Sequence, residues 1–164
     1  MSTLPSSVQR TIAPAITVSG SQLTVTDQAA LAGPLMDALV RHAVFGAEDE
    51  RAWARWIIWE AARVVGTHPA SIHGFYMARG RGDVPPVTVP AMNIRGASYD
   101  TMRSIFRTSI AMDGGAFILE IARSEIAYTE QRPDEYVSVA LAAALREGFR
   151  GPVFIQGDHF QVNA

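Results

Sequence analysis

The second half of this chain predicts an α/β fold with a parallel sheet, on three observations. From Val87 onward, apolar runs and amphipathic helical stretches alternate as β–α–β–α–β, one unit per roughly thirty residues. The stretch from Ala116 to Ile121 is almost continuously apolar, the pattern of a strand buried on both faces. Polar residues fall at or just past the ends of the predicted strands: Asn93, then Arg123, Ser124 and Glu125, then Asp158 and His159. In parallel α/β folds that end of the sheet is the ligand-binding face, and both a barrel and an open doubly wound sheet begin this way.

Upstream, Met1 to Gly20 reads as loose, and Gln22 to Val25 as a short edge strand. Asp27 is placed to cap a helix reaching about Phe45, with Gly33-Pro34 starting it late or kinking it, and Gly46 ends it. Glu48, Asp49 and Glu50 crowd acidic residues where the next helix's dipole is positive. Trp53, Trp56, Ile57, Glu60 and Val64 then follow at three- and four-residue spacing up to Gly66, which predicts an amphipathic helix carrying all the tryptophans. At that spacing the indoles read as core or interface rather than as a ligand platform. His68 and His73 lack a third ligand at fitting spacing, so they read as a helix N-cap region and a half-buried imidazole rather than a metal site.

Gly80-Arg81-Gly82-Asp83-Val84-Pro85-Pro86 forbids helix and marks a boundary between a helical N-terminal extension, 1–85, and an α/β portion, 86–164. Past it, 87–94 reads as a strand with Pro90 in its early, irregular part, and Ser98 as the cap of a helix with Met102, Ile105, Phe106 and Ile110 inward. Asp113-Gly114-Gly115 stops that helix ahead of the buried strand. Pro133 at a first helical position, Asp134 and Glu135 in the first turn, Arg146 in the last and Gly148 beyond it delimit the next helix. Pro152 to Gln156 is the third strand.

Composition narrows the function classes. The chain has 164 residues, 48% hydrophobic and 18% charged, enough apolar material for one ordinary core. A net charge of −2 gives no general attraction to nucleic acid or anionic lipid. There is no cysteine, so any metal must rely on His, Asp, Glu or carbonyl ligands, and a cytoplasmic location fits. Neither a signal peptide nor a membrane span is read in the sequence.

At the tip of the third strand, Asp158 and His159 suit two roles at one centre: an imidazole that ligates a metal and a carboxylate that shuttles a proton on the substrate. The alternative is structural, with Asp158 capping a helix and His159 making an ordinary hydrogen bond in an unrelated open α/β domain.

The segments Pro90-Ala91-Met92-Asn93-Ile94-Arg95-Gly96, Phe117 to Glu125 and Val153 to Phe160 resemble the first three strands of class II, metal-dependent fructose/tagatose-bisphosphate aldolases and their non-catalytic-subunit relatives, over about residues 86–164. The resemblance implies a partial TIM (β/α)8 barrel of about three β/α units behind a helical extension. It implies a lyase that cleaves or forms a carbon–carbon bond in a phosphorylated sugar, with zinc or another divalent metal. It places the general acid/base on Asp158, one metal ligand on His159 and substrate contacts on Asn93, Arg123, Ser124 and Glu125. Where many catalytic members have Ser followed by Asn and Gly, this chain has Ala122-Arg123-Ser124-Glu125, and Gly157-Asp158-His159 followed by Asn163 looks like the subunit branch. The remaining metal histidines and phosphate loops of such a barrel are expected beyond Ala164, so the expectation is an inactive, poorly stable fragment with an open edge at its third strand. The alternative is a non-catalytic aldolase subunit that contacts its partner through the Trp53, Trp56 and Trp59 helix. A homo-oligomer is compatible with either.

Overall fold

A computed structural model describes residues 3–160, within which the chain forms eight helices and six strands. The segment read as loose holds regular structure: α1, Ser6–Ile12, buries Val8 and Ile12, and β1, Ile16–Ser19, turns at Gly20 to pair antiparallel with β2, Gln22–Val25. Gly20 sits at φ +60, where a side chain is strained. Two turns of helix are too short to announce themselves by period or propensity. Their stability comes from the shared core, which no local pattern encodes.

Asp27 accepts the backbone N–H groups of Ala29 at 2.9 Å and Ala30 at 3.2 Å, starting α2, Gln28–Leu31. Gly33-Pro34 then divides the predicted helix in two, since Pro34 opens α3, Pro34–Phe45. The acidic trio begins α4, Glu48–Val64, as the dipole argument requires. Trp53 is buried and meets Trp56 edge-to-face at 5.4 Å, while Trp59 donates Nε1–H to the Ser138 hydroxyl at 3.2 Å.

His68 lies in a strand rather than at a helix cap: β3, Thr67–Ala70, precedes α5, His73–Gly80. After the proline-rich turn only Ala91–Asn93 is strand, β4, because Pro85, Pro86 and Pro90 lack the N–H that a ladder needs. Then follow α6, Ser98–Ala111; β5, Ile118–Ala122; α7, Arg123–Thr129; α8, Pro133–Arg146; and β6, Gly151–Asp158. Ser98 is not the cap of α6. Ala97 precedes the helix in a left-handed conformation at φ 44, and the Ser98 hydroxyl donates to Gln131 Oε1 at 2.8 Å.

β3, β6, β5 and β4 form, in that order, one parallel four-stranded sheet. The open edge expected at the third strand is therefore covered along its first half, where Thr67–Ala70 pairs with Gly151–Phe154. Sequence reading missed this because the partner strand comes from the segment assigned to the helical extension.

Side chains alternate across a strand, so each face of the sheet carries a different set. Leu119, Ile121 and Val153, with Met92 and Ile155 beside them, meet a core supplied by α3, α4, α6 and α8. α8 is the centre of that core, buried at every position from Ser138 to Leu145, with alanines letting neighbouring helices approach closely. Phe106 is fully buried against Phe149 at 4.9 Å and Phe117 at 5.4 Å. Ion pairs brace the rim: Arg55 reaches Glu135 at 2.7 Å, and Arg103 and Arg107 hold Glu147 at 2.7 and 2.9 Å. The opposite face of the sheet carries Asn93, Ile118, Glu120, Phe154, Gln156 and Asp158, by alternation and register. No helix among the described residues is long and apolar enough to cross a membrane.

Candidate functional site

Three of the expected residues meet at the C-terminal ends of the strands. Asn93 ends β4, Asp158 ends β6, and Glu125 lies in the first turn of α7, immediately after β5. The Asn93 amide donates to Asp158 Oδ2 at 3.2 Å and approaches Glu125 Oε1 and Oε2 at 3.3 and 3.4 Å. Register explains the convergence. Asp158 lies level with Ala122 at the end of β5, and Asn93 lies level with Glu120.

Glu125 is the hub. Its side chain is only 5% exposed, it accepts the Ala122 N–H at 3.2 Å, and Arg95 Nε donates to it. Burial raises its proton affinity, but the hydrogen bonds from Arg95, Ala122 and Asn93 outweigh that and hold the carboxyl below the usual glutamate range. Arg95 is correspondingly pushed further toward the charged form, chiefly by its hydrogen bond to Glu125. Asp158 keeps 28% of its side chain accessible, so its carboxylate can meet both Asn93 and a solute. His159 is 87% exposed, with Nε2 3.3 Å from Asp158 Oδ1, and its backbone adopts φ 53.

The structure does not bring Arg123 and Ser124 into this cluster. Both are exposed, and they belong to the helix that follows β5 rather than to a loop at its tip. Asn163 lies outside the described residues. Nor do His68 and His73 join it, since they sit on β3 and at the start of α5.

Sequence reasoning passed over Arg95, Glu120 and Gln156. Arg95 is the cation that Glu125 requires once buried. Glu120 is buried at the middle of β5, accepts from the Gln156 amide, and its backbone carbonyl takes the Tyr136 hydroxyl at 2.7 Å. A lone carboxylate inside an apolar run was the available signal, because a buried charge must find a partner. Burial is also what pushes the Tyr136 phenol well above its ordinary value.

Among the described residues no group of three His, Cys, Asp or Glu side chains is placed to hold a metal. At the strand tips the donors on offer are His159 and Asp158, fewer than the roughly three or four protein ligands of a zinc centre. Comparison with known proteins finds no matching family model, no matching curated protein and no matching solved structure.

Proposed function

We propose that the strand-tip cluster is the acid/base part of a class II aldolase-like site, on a sheet that forms part of a (β/α)8 barrel, and that its substrate is a phosphorylated ketose. One observation carries the reading: Asn93, Glu125 and Asp158, drawn from three successive β/α units, form a single hydrogen-bonded group at the C-terminal ends of their strands. The order β4, β5, β6 supports the barrel, since these strands are neighbours in both chain and space, and their core-facing side is covered by helices. β3, which comes from earlier in the chain and flanks β6, departs from that sequential order.

In this reading Asp158 takes the proton of the hydroxyl on the carbon β to the ketose carbonyl as the α–β carbon–carbon bond breaks to an aldehyde and an enediolate, and returns that proton to the enediolate carbon. Asn93 fixes the carboxylate by holding Oδ2, which leaves Oδ1 toward His159 and solvent. Glu125 holds Asn93 and Arg95 rather than the substrate, while Arg123 and Ser124, exposed beside it, supply substrate contacts. His159 is proposed as one metal ligand, needing others from outside the described residues, and no step is assigned to the metal itself.

Zinc titration by calorimetry tests the assignment. His159→Ala is expected to remove most of whatever zinc affinity the chain has, and Asp158→Ala to leave it mostly intact. Equal affinity in the wild type and the His159 variant contradicts the assignment. With fructose or tagatose bisphosphate and zinc, the chain alone is expected to release no triose phosphate.

A further inference from the structure

A cleft of about 670 Å³ opens between α3, residues 95–100 at the entry to α6, and the start of α8. Its volume is within the range of small-molecule sites. Its apolar wall is formed by Val40, Val44 and Val139, with Phe45 at the rim, 85% exposed. A large aromatic ring so far out of the core is unexplained by packing within the chain.

The charges around the cleft do not cancel evenly. Asp37 is engaged by Arg146 at 3.1 Å and by the Tyr99 hydroxyl at 2.8 Å. Glu135 is engaged by Arg55, and Arg103 is held by Glu147 at 2.7 Å. Asp100 is exposed, 3.5 Å from Arg103. Arg95 commits Nε to Glu125, which leaves its terminal nitrogens available. Arg41 also lines the cleft, and its side chain makes no hydrogen bond or ion pair among the described residues. Because Arg41 and Phe45 are four residues apart on α3, the free guanidinium and the exposed ring share one helix face.

The walls are fixed in advance. Ser98 bonds Gln131 across two of them, Tyr99 bonds Asp37 across another pair, and Ala97 holds a left-handed backbone just before α6. Strain of that kind in a non-glycine residue collects at ligand-binding loops.

The geometry points to a binding site for a small amphipathic anion, an aromatic or similarly apolar body carrying one phosphate or carboxylate. The apolar part lies against Val44 and Phe45, and the anionic head meets Arg41 and the outer nitrogens of Arg95. The inference shares Arg95 with the strand-tip cluster but uses neither Asp158 nor His159, the residues on which the aldolase-like reading depends.

The test titrates the chain with naphthyl phosphate, naphthoate and neutral naphthol, following backbone amide resonances. Both anions are expected to bind more tightly than naphthol, shifting α3 and residues 95–100, and the tighter anion identifies the head group. Arg41→Gln should weaken the anions by about tenfold, toward the naphthol value, while Arg63→Gln, remote on α4, leaves them unchanged. Phe45→Ser should weaken all of the ligands, and Asp158→Asn none, which separates failure here from failure at the strand tips. Equal binding of naphthol and the anions, unchanged affinity in Arg41→Gln, or shifts mapping elsewhere would overturn the proposal. So would a Phe45→Ser variant that alters only self-association, because the ring would then be a contact between copies.

Discussion

Replacing Glu125 by glutamine keeps the shape of the side chain but discharges the hub of the strand-tip cluster. In the wild type this carboxylate, 5% exposed, accepts from Ala122 N–H at 3.2 Å, from the Asn93 amide and from Arg95. Arg95 is largely exposed, so its pairing is discounted as solvent-screened. What remains is the change of two hydrogen bonds from charge-assisted to neutral, which costs about 1–2 kcal/mol. For a chain of this size that lowers the melting temperature by about 2–8 °C. Glu125→Ala should cost more, about 2–3 kcal/mol, because it leaves the Ala122 N–H without its acceptor.

The pH dependence has a definite sign. The folded-state carboxyl is held below its ordinary value, so its stabilisation is complete above the unfolded value, near pH 4.5. It is lost as pH falls through the lowered folded value. Urea unfolding at neutral pH should therefore separate wild type from Glu125→Gln, and the gap should close under acid. A gap that stays constant through acid, or no gap at neutral pH, would show that Glu125 does not hold the cluster as a carboxylate.

Glu147, clamped first by Arg107 and then by Arg103, has its carboxyl lowered to about 2. Glu147→Gln should lose about 1–2 kcal/mol at neutral pH after allowance for screening by solvent at Arg107, and the loss should disappear only near that low pH, as read by acid-dependent unfolding. Phe106→Ala empties the contact with Phe117 and Phe149 and should cost about 3–5 kcal/mol in denaturant unfolding, because the fully buried site has little room to collapse.

The parts of this fold that could be read in sequence are those whose signals are local. α8 declares itself through Pro133, two acidic residues in its first turn, Arg146 in its last and Gly148 beyond, which indeed adopts φ 73. β5 declares itself by an apolar run, and all five of its residues are buried. What stayed hidden depends on distant partners. Thr67–Ala70 becomes a strand because Gly151–Phe154 is there to pair with it. Gly96 marks a turn, but it is the next residue, Ala97, that takes the left-handed conformation, which its type does not announce.

The site divides in the same way. Asn93, Glu125 and Asp158 could be placed near one another because strand ends in a parallel sheet share one side. That Glu125 turns inward to Arg95 and Asn93, while Arg123 and Ser124 remain outside the cluster, follows from the helix that begins at Arg123. A short helix set directly against a strand leaves no loop composition to read.

The most searching measurement is an amide-resonance titration of the chain with dihydroxyacetone phosphate, with and without zinc, followed by the same titration of Asp158→Asn. If the strand tips form the proposed site, the shifts gather at 93–95, 123–125 and 157–159, and they diminish in the variant. Shifts that collect elsewhere, or that are unchanged when Asp158 is neutralised, would contradict it.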